Sequence, residues 1–318
     1  MRTAGKQRSE PVVASRGGTA LVARIVSLAP RRSLSAKAGT RLLRAARSAL
    51  VARKDRPIHI TIDGTRLLAP LSHDLPIYRA MCPEYSRNFG AVVGEVAGGH
   101  SHLTVVDIGA NIGDSVAIGG RHANVSYLCI EGSERFFPFL EANLGGRTDV
   151  TLVNAMVGTP GMSLIIETKQ GTGAAISFST GPTSAVQTLE EIIDTHCGVA
   201  PSSHLLVKSD TDGLDATILL GSESVFKVLR PDLFFEFDPV LSDPWDNSPL
   251  DVISMLVDLE YPTFTAWDNL GYRLLRVDRA DAMKTFTDLA AYCRSASERL
   301  LPATAYLDVW VEPNRREA

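Results

Sequence analysis

Several features that mark other protein classes are missing from this 318-residue sequence. No run of 18 or more apolar residues occurs, so no transmembrane helix is predicted. The four cysteines lie far apart without a Cys-x-x-Cys pair, which indicates neither a disulfide framework nor a zinc site: Cys82, Cys129, Cys197 and Cys293. We therefore expect a reducing, cytoplasmic setting.

Two nucleotide-binding motifs are also missing. The sequence contains no G-x-x-x-x-G-K-[ST], which excludes a P-loop, and no G-x-G-x-x-G of the kind found in hydride-transfer enzymes. A Tyr-x-x-x-Lys pair after the predicted fourth strand is lacking as well. These absences disfavour a nicotinamide-dependent oxidoreductase. The acidic residues near the predicted strand ends lack a tight ligand spacing, so no metal site is predicted.

The net charge of −4 hides an asymmetry along the chain. Residues 1–56 hold 14 Lys and Arg but only Glu10 and Asp55 as acids, which leaves 18 basic and 34 acidic residues for the remainder. A basic leader on an acidic body suggests an arm that contacts anions, or a disordered segment. The acidic body argues against nucleic acid as a partner.

The leader, residues 1–56, divides into two parts. Residues 1–20 are rich in small and polar residues, lack periodicity and are predicted to be disordered, and we expect residues 1–35 to be dispensable for folding and ligand binding. Residues 38–53 have helical spacing of Leu, Ala and Val with arginines around them, which predicts a short basic amphipathic helix. Such a helix can pack on the body or contact an anionic membrane surface weakly.

Residues 57–99 are predicted to be an appendage of a hairpin and a helix. The segment IHITIDG alternates between apolar and polar residues and ends at Asp63-Gly64, which is typical of a tight hairpin turn before TRLLAPL. Residues 74–97 read as a loop and then a helix. The main domain is predicted to occupy residues 100–314.

From residue 103 onward, strands alternate with helices, which predicts βαβ units and a parallel sheet. The fold class is therefore α/β, with a doubly wound, mostly parallel, Rossmann-like sheet of about seven strands. A hairpin insert is predicted at 162–168 and 175–180, and an antiparallel strand near the end of the domain. Strands are predicted at 103–108, 125–130, 150–154, 205–210, 233–237, 262–268, 272–277 and 306–312. Helices are predicted near 113–121, 133–144, 188–197, 215–229, 249–259 and 281–297.

The segment LTVVDIGANIGDS carries the strongest functional signal. Its strand reaches Asp107, and a turn with Gly109 and Gly113 then leads into a helix. Glycines allow a tight turn close to a ligand, and the N–H groups at the helix start can face that ligand. The predicted binding residues of this segment are Asp107, Gly109, Ala110, Asn111, Gly113 and Asp114.

Two further strand ends complete this predicted binding site. SYLCIEGS ends its strand at Glu131, 24 residues after Asp107, where a carboxylate can accept both ribose hydroxyls of a nucleoside. VTLVNAMVG ends its strand at Asn154-Ala155, where an adenine edge would be recognised.

These segments resemble the FkbM-type family of S-adenosylmethionine (SAM)-dependent methyltransferases. The resemblance covers roughly residues 100–240 and rests on VVDIGANIGDS, CIEGSERFFPFLEANL, NAMVG, SAVQTLEEIID, KSDTDGLDATILLGSESVF and RPDLFFEFDP. It implies SAM as cofactor and methyl transfer to a hydroxyl, often of a sugar or natural product. The family's K-x-D-x-E-G-x-E block stands here with Asp212 and Asp215 in place of both glutamates, which shortens each side chain by one methylene.

The acceptor side is predicted around the fourth and fifth strand ends. Asp210 is the first candidate, because a carboxylate there can hold the acceptor hydroxyl or take its proton. Lys208, Asp212 and Glu236 are further catalytic candidates, and His73 is a candidate base from outside the sheet. Each of these residues can also have a purely structural role. Lys208 can pair with a nearby acid, and Glu236 can pair with Lys208. Asp212 and Asp215 can favour the start of the following helix.

The sequence thus predicts a SAM-dependent O-methyltransferase that acts on a hydroxyl of a saccharide or small natural product. A catalytically degenerate SAM-binding module is the alternative from another class. A nicotinamide-dependent oxidoreductase remains a weaker alternative.

Overall fold

The computed structural model describes residues 14–30, 34–160, 162–167, 175–178, 184–197, 203–242, 247–298 and 306–314. Helices in these residues are α1 (Arg16–Leu28), α2 (Leu34–Arg53), α3 (Leu75–Met81), α4 (Arg87–Gly99), α5 (Asp114–Gly119), α6 (Phe137–Leu144), α7 (Leu189–His196), α8 (Asp215–Leu220), α9 (Glu223–Leu229), α10 (Pro249–Asp258) and α11 (Arg279–Glu298). Strands are β1 (Pro57–Ile62), β2 (Thr65–Pro70), β3 (Leu103–Ile108), β4 (Val125–Ile130), β5 (Val150–Val153), β6 (Met156–Val157), β7 (Ser163–Glu167), β8 (Ala175–Phe178), β9 (Ser184–Gln187), β10 (His204–Ser209), β11 (Asp232–Phe237), β12 (Thr263–Asp268), β13 (Arg273–Asp278) and β14 (Leu307–Glu312).

The predicted hairpin is present as β1 and β2, which pair antiparallel. Its turn has positive φ angles at both Asp63 and Gly64, as the Asp-Gly turn chemistry demands. Ile58, Ile60 and Ile62 alternate along β1 and are all buried beneath α1. The alternating pattern therefore places one face of the hairpin in a small core.

The prediction of disorder over residues 1–20 is wrong for residues 16–20, which begin helix α1. This helix buries Val22 and Ile25, and its Gly18 lies so close to Ile58 that a side chain there would clash. The Ser15 N–H also donates to the carbonyl of Pro57 at 2.6 Å. Helix α1 is thus part of the folded body, which argues against the expectation that residues 1–35 are dispensable. Residues 1–13 and 31–33 lie outside the described residues.

The central sheet confirms the predicted doubly wound α/β architecture. Its strand order is β5, β4, β3, β10, β11, β14, β12, β13, and the first five strands run parallel. Apolar side chains on one face pack with α4, α5 and α6, while those on the other face pack with α7 to α11. Helices on both faces explain why these strands are nearly continuous apolar runs.

The far half of the sheet holds the predicted antiparallel strand, and the strand predicted at 272–277, here β13, also joins the sheet. Strand β14 lies between β11 and β12 and is antiparallel to both. The described residues give eight strands in this sheet rather than seven, because β13 pairs with the outer edge of β12. The predicted insert forms a separate small sheet, in which β7 and β8 pair antiparallel. Residues 168 and 179–180 of that predicted hairpin lie outside the described residues.

Helix α4, assigned from the sequence to the appendage, packs into the main core. Its Phe89, Val92 and Val96 share a buried cluster with Leu103 and Val105 of β3. Asp55, two residues before β1, forms an ion pair of 2.6 Å with Arg135 in the segment between β4 and α6. These contacts hold the N-terminal elements beside the carboxyl ends of the strands. Among the described residues, no helix is long and apolar enough to cross a membrane.

Candidate active site

The carboxyl ends of β3, β4 and β10 surround an open cleft, called here the Glu131 cleft, whose empty space is about 560 Å³ when the solvent at its mouth is included. This edge is where ligands bind in open α/β sheets. The structure therefore brings the predicted loops together at one place. The residues that line the cleft are Ile108, Gly109, Asn111, Ile130, Glu131, Gly132, Phe136, Ala155, Met156, Val157, Asp210, Thr211, Asp212, Leu214 and Ile218.

The turn after β3 depends on Gly109. Its φ is +80°, and a Cβ there would collide with the carbonyl oxygen of Asp210, so only glycine fits. The N–H groups of Gly109 and Ala110 both lie 3.0 Å from the carbonyl oxygen of Ile130. These two hydrogen bonds fix the turn against the end of β4 without the help of a ligand.

Two residues predicted to bind a cofactor, Ala110 and Gly113, lie outside the linings of both cavities. Ala110 is fully buried in the core and lines neither cavity of the site. Gly113, also absent from both linings, has a φ of +84° and lies against Leu144, where a Cβ would come within 2.6 Å of that side chain. Its role is close packing of α5 against α6. The glycine spacing therefore predicted the turn correctly, but only Gly109 and Asn111 of the loop line the cleft.

Glu131 is held at the end of β4 by two backbone N–H groups. Asn111 N–H donates to Oε2 and Ser133 N–H to Oε1, both at 2.7 Å. Glu131 is 8% exposed, and burial raises the pKa of its carboxyl to about 7, although these two hydrogen bonds oppose the shift. Each carboxylate oxygen has two lone pairs, so Glu131 can still accept hydrogen bonds from hydroxyl groups of a ligand.

The predicted pair at the end of β5 is divided by the structure. Ala155 lines the Glu131 cleft, whereas Asn154 is exposed and lies outside it. Met156 and Val157 of β6, together with Phe136, supply an apolar wall that the sequence did not single out. The apolar dipeptide directly after Asn154-Ala155 was the available signal for it.

A buried ion pair joins β3 and β10 beneath the site. Lys208 Nζ lies 3.0 Å from Asp107 Oδ1 and 3.4 Å from Asp210 Oδ2. Burial alone would lower the pKa of Lys208, but the two carboxylates outweigh it and raise the pKa above its ordinary value. Lys208 therefore stays charged. It pairs with Asp107 and Asp210 rather than with Glu236, and Asp107 lines neither cavity.

A second cavity, called here the Glu236 cavity, adjoins the cleft, and its empty space is about 960 Å³ when the solvent at its mouth is included. Gly109, Asn111, Asp210 and Asp212 line both spaces, so the two meet at these residues. Its lining brings together the remaining predicted catalytic residues. The lining residues are His73, Leu75, Tyr78, Tyr85, Ser86, Gly109, Asn111, Asp114, Ser115, Lys208, Asp210, Asp212, Glu236, Leu241 and Tyr306.

Glu236 has no hydrogen-bond or ion-pair partner among the described residues. Burial, and then the negative charge of Asp210, raises the pKa of Glu236 well above its ordinary value. Burial likewise raises the pKa of Asp114 to about 6. Asp210 itself is 56% exposed at the side chain, and Asp212, with a positive φ of 53°, is exposed too. The cavity therefore holds two exposed acids, Asp210 and Asp212, beside two buried carboxyl groups with raised pKa values, Glu236 and Asp114.

The N-terminal elements close one side of the Glu236 cavity. His73 is buried, and its side chain hydrogen-bonds to Asn111; burial lowers the pKa of His73 to about 4, so the ring is neutral at neutral pH. Tyr85 and Tyr306 hydrogen-bond to each other there. Sequence reasoning missed both tyrosines, since they lie far apart in the chain and outside any motif.

Asp215 has a structural position, as one of its sequence interpretations proposed. It accepts a hydrogen bond of 2.6 Å from the Ser209 hydroxyl and one of 3.1 Å from the Thr211 N–H. These bonds close the loop between β10 and α8. In the described part of the chain, no group of three or more His, Cys, Asp and Glu side chains is arranged to hold a metal ion.

Comparisons with known proteins give a limited result. No protein-family profile and no curated protein matches the sequence. Among solved structures, the methyltransferase FkbM from Methylobacillus flagellatus KT is 18% identical over 50% of this chain, with a TM-score of 0.33, and the match spans 37% of that protein's length. A SAM-dependent methyltransferase from Agrobacterium tumefaciens is 8% identical, with a TM-score of 0.42, and the match covers 81% of this chain and 70% of that one. The plantazolicin methyltransferase BpumL, in complex with S-adenosylhomocysteine (SAH), is 10% identical with a TM-score of 0.37, covering 75% of this chain and 88% of that one.

Proposed function

We propose that the protein is a SAM-dependent O-methyltransferase whose acceptor is a hydroxyl of a saccharide or small natural product. One observation carries the proposal: Glu131 is fixed at the end of β4 by the N–H groups of Asn111 and Ser133, in a cleft that meets a polar cavity at Asp210. A carboxylate held in this way suits a ribose. A second, polar cavity beside it suits an acceptor.

The residues of the Glu131 cleft fit the adenosine part of SAM. Phe136, Met156 and Val157 offer an apolar surface for an adenine ring, next to the carboxylate that would accept the ribose hydroxyls. Gly109 and Asn111 lie where the two cavities meet, so they would contact the part of the cofactor that faces the acceptor. When bound, SAM supplies a methyl group that is activated by the positively charged sulfur.

The residues of the Glu236 cavity fit an acceptor with several hydroxyl groups. The carboxylates of Asp210 and Asp212 can accept hydrogen bonds from hydroxyl groups. The Glu236 carboxyl, whose raised pKa favours its protonated form, can donate a hydrogen bond as well as accept one, and so can the Tyr85–Tyr306 pair. Asp210 lies at the junction of the two cavities, so it is our first candidate to orient the acceptor hydroxyl and take its proton. Lys208 would act as a positioning residue, since it holds Asp210 while remaining charged.

Calorimetry with SAM, SAH, NAD and NADP tests the cofactor assignment. We expect SAM and SAH to bind and both nicotinamide cofactors to give no signal, because the turn at Gly109 lacks the glycine spacing of a dinucleotide site. Transfer of label from radiolabelled SAM to a small molecule of a cell extract then identifies the acceptor. NAD binding with silence toward SAM would refute the proposal, and SAM binding without transfer to any acceptor would favour a catalytically degenerate module.

Replacing Glu131 by alanine should weaken SAM binding by about 1.5–3 kcal/mol, or about 10- to 150-fold, the range for hydrogen bonds to a charged group. The parent protein should also bind SAM more weakly as the pH falls below 7. The reason is that the pKa of Glu131 is about 7, and a protonated carboxyl must lose its proton to accept both hydroxyls. The affinity should fall by up to tenfold per pH unit below that value, and the slope attributable to Glu131 should vanish in Glu131→Ala.

Glu134→Ala is the matched control for this experiment. Glu134 is an exposed acid three residues further along the same turn and lines neither cavity. It should leave both the affinity and its pH dependence unchanged. A folded Glu131→Ala variant with parental SAM affinity would remove Glu131 from the cofactor site.

A further inference from the structure

Helix α2 lies on the surface and buries few of its side chains. Among its described side chains, only Arg47 and Val51 are buried. Leu42 is 73% exposed and Leu50 is 44% exposed, and exposed alanines at 46 and 49 lie on the same face at helical spacing. This helix therefore presents an apolar stripe to the solvent, on the side away from the body.

The same region carries positive charge that the protein does not neutralise. Neither α1 nor α2 contains an acidic residue. Lys37, Arg41 and Arg53 on α2 are exposed, and none of them lies in an ion pair within the described residues. The nearby acids are already engaged in ion pairs of 2.6–2.7 Å: Asp55 with Arg135, Asp63 with Arg79, and Asp74 with Arg47.

Helix α3 extends this surface toward the Glu236 cavity. Arg44 Nη2 of α2 lies 3.3 Å from the sulfur of Met81, which is 58% exposed. Tyr78, one turn before Met81, is 41% exposed and also lines the Glu236 cavity. The exposed faces of α2 and α3 around Leu42, Leu50, Tyr78 and Met81 are called here the α2 surface.

We propose that the α2 surface docks on an anionic lipid bilayer. Basic residues attract the anionic headgroups, and exposed apolar side chains enter the interface below them, which is the combination that interfacial helices use. The phosphates of a nucleic acid would also match the positive charge, but they would provide no apolar environment for Leu42 and Leu50. A membrane partner would place the mouth of the Glu236 cavity, at Tyr78, next to the lipid surface.

Sedimentation of the full chain with vesicles tests this proposal. We expect binding to vesicles of phosphatidylcholine with phosphatidylglycerol to be at least tenfold stronger than binding to phosphatidylcholine alone, and to weaken as salt rises. The double variant Leu42→Gln/Leu50→Gln should bind the anionic vesicles at least fivefold more weakly. Arg41→Gln/Arg44→Gln should lose both affinity and part of the salt dependence.

Val228→Gln is the matched control, since Val228 is 72% exposed on helix α9, which is not part of the α2 surface. It should bind vesicles like the parent chain. Three results would overturn the proposal: no vesicle binding, vesicle binding that ignores Leu42 and Leu50, or a dimer in sedimentation equilibrium that the Leu42→Gln/Leu50→Gln variant dissociates. The last result would assign the α2 surface to a second copy of the chain.

Discussion

Lys208→Met should lower the free energy of unfolding by about 3–5 kcal/mol, the usual cost of removing one partner of a buried ion pair. Asp107 is fully buried, and its Oδ2 has no hydrogen-bond partner among the described residues. Without the 3.0 Å contact to Lys208, the whole carboxylate would be left unpaired in the core of the sheet. Urea denaturation at pH 7 measures the loss.

Two further variants separate the ion pair from general packing effects. Asp107→Asn/Lys208→Met leaves no charge at either position, so it should recover a large part of the lost stability. Lys227→Met, an exposed lysine on α9, should stay within about 0.5 kcal/mol of the parent. If Lys208→Met unfolds at the parental urea concentration, the pair does not stabilise the sheet.

Asp210→Asn should lower turnover by about 10²–10⁴ while SAM binding stays near the parental affinity. The carboxylate is 56% exposed at the junction of the two cavities, so it is accessible to an acceptor. Its backbone carbonyl, which lies against Gly109, is unaffected by the substitution. Asparagine has nearly the same shape but cannot take a proton. The measurement is the initial rate of methyl transfer from labelled SAM, together with calorimetry of SAM binding.

The outcome of this substitution distinguishes three assignments. Asp194→Asn, an exposed acid on α7, is the control and should transfer methyl groups at the parental rate. A variant that loses SAM as well would move Asp210 to the cofactor side. A parental rate in Asp210→Asn would make Glu236 the next base to test, since it has no partner and an elevated pKa.

The arrangement of the strand ends could be predicted because it follows from local patterns. Apolar, β-branched runs that alternate with helices predict a parallel sheet, and the carboxyl ends of parallel strands meet at one edge. Glu131 and Asp210 could therefore be placed together from the sequence alone. The separation of Asn154 from the cleft could not, because it depends on how the short β6 continues the chain after β5.

The residues and the helix that lie outside the sheet could not be predicted from the sequence, for a different reason. Tyr85 precedes β3, whereas Tyr306 precedes β14. No local sequence pattern could predict the hydrogen bond between these two side chains. Helix α1 was missed because Gly17 and Gly18 lower the helix propensity of its first turn. The close approach of Gly18 to Ile58 shows that tertiary packing supplies what the local sequence lacks.

The position of β14 affects how the chain can fold during synthesis. Strand β11 pairs with β14 rather than with β12, so the sheet between β11 and β12 stays open until residues 307–312 have left the ribosome. Until then the hairpin of β12 and β13 has an unpaired edge, which includes the buried residues Phe264 and Ala266. Synthesis of the intervening chain takes seconds, and an open apolar edge is prone to aggregate. Nascent chains of this protein are therefore expected to depend on chaperones during the translation of the segment between β13 and β14, and slow codons there would prolong that exposure.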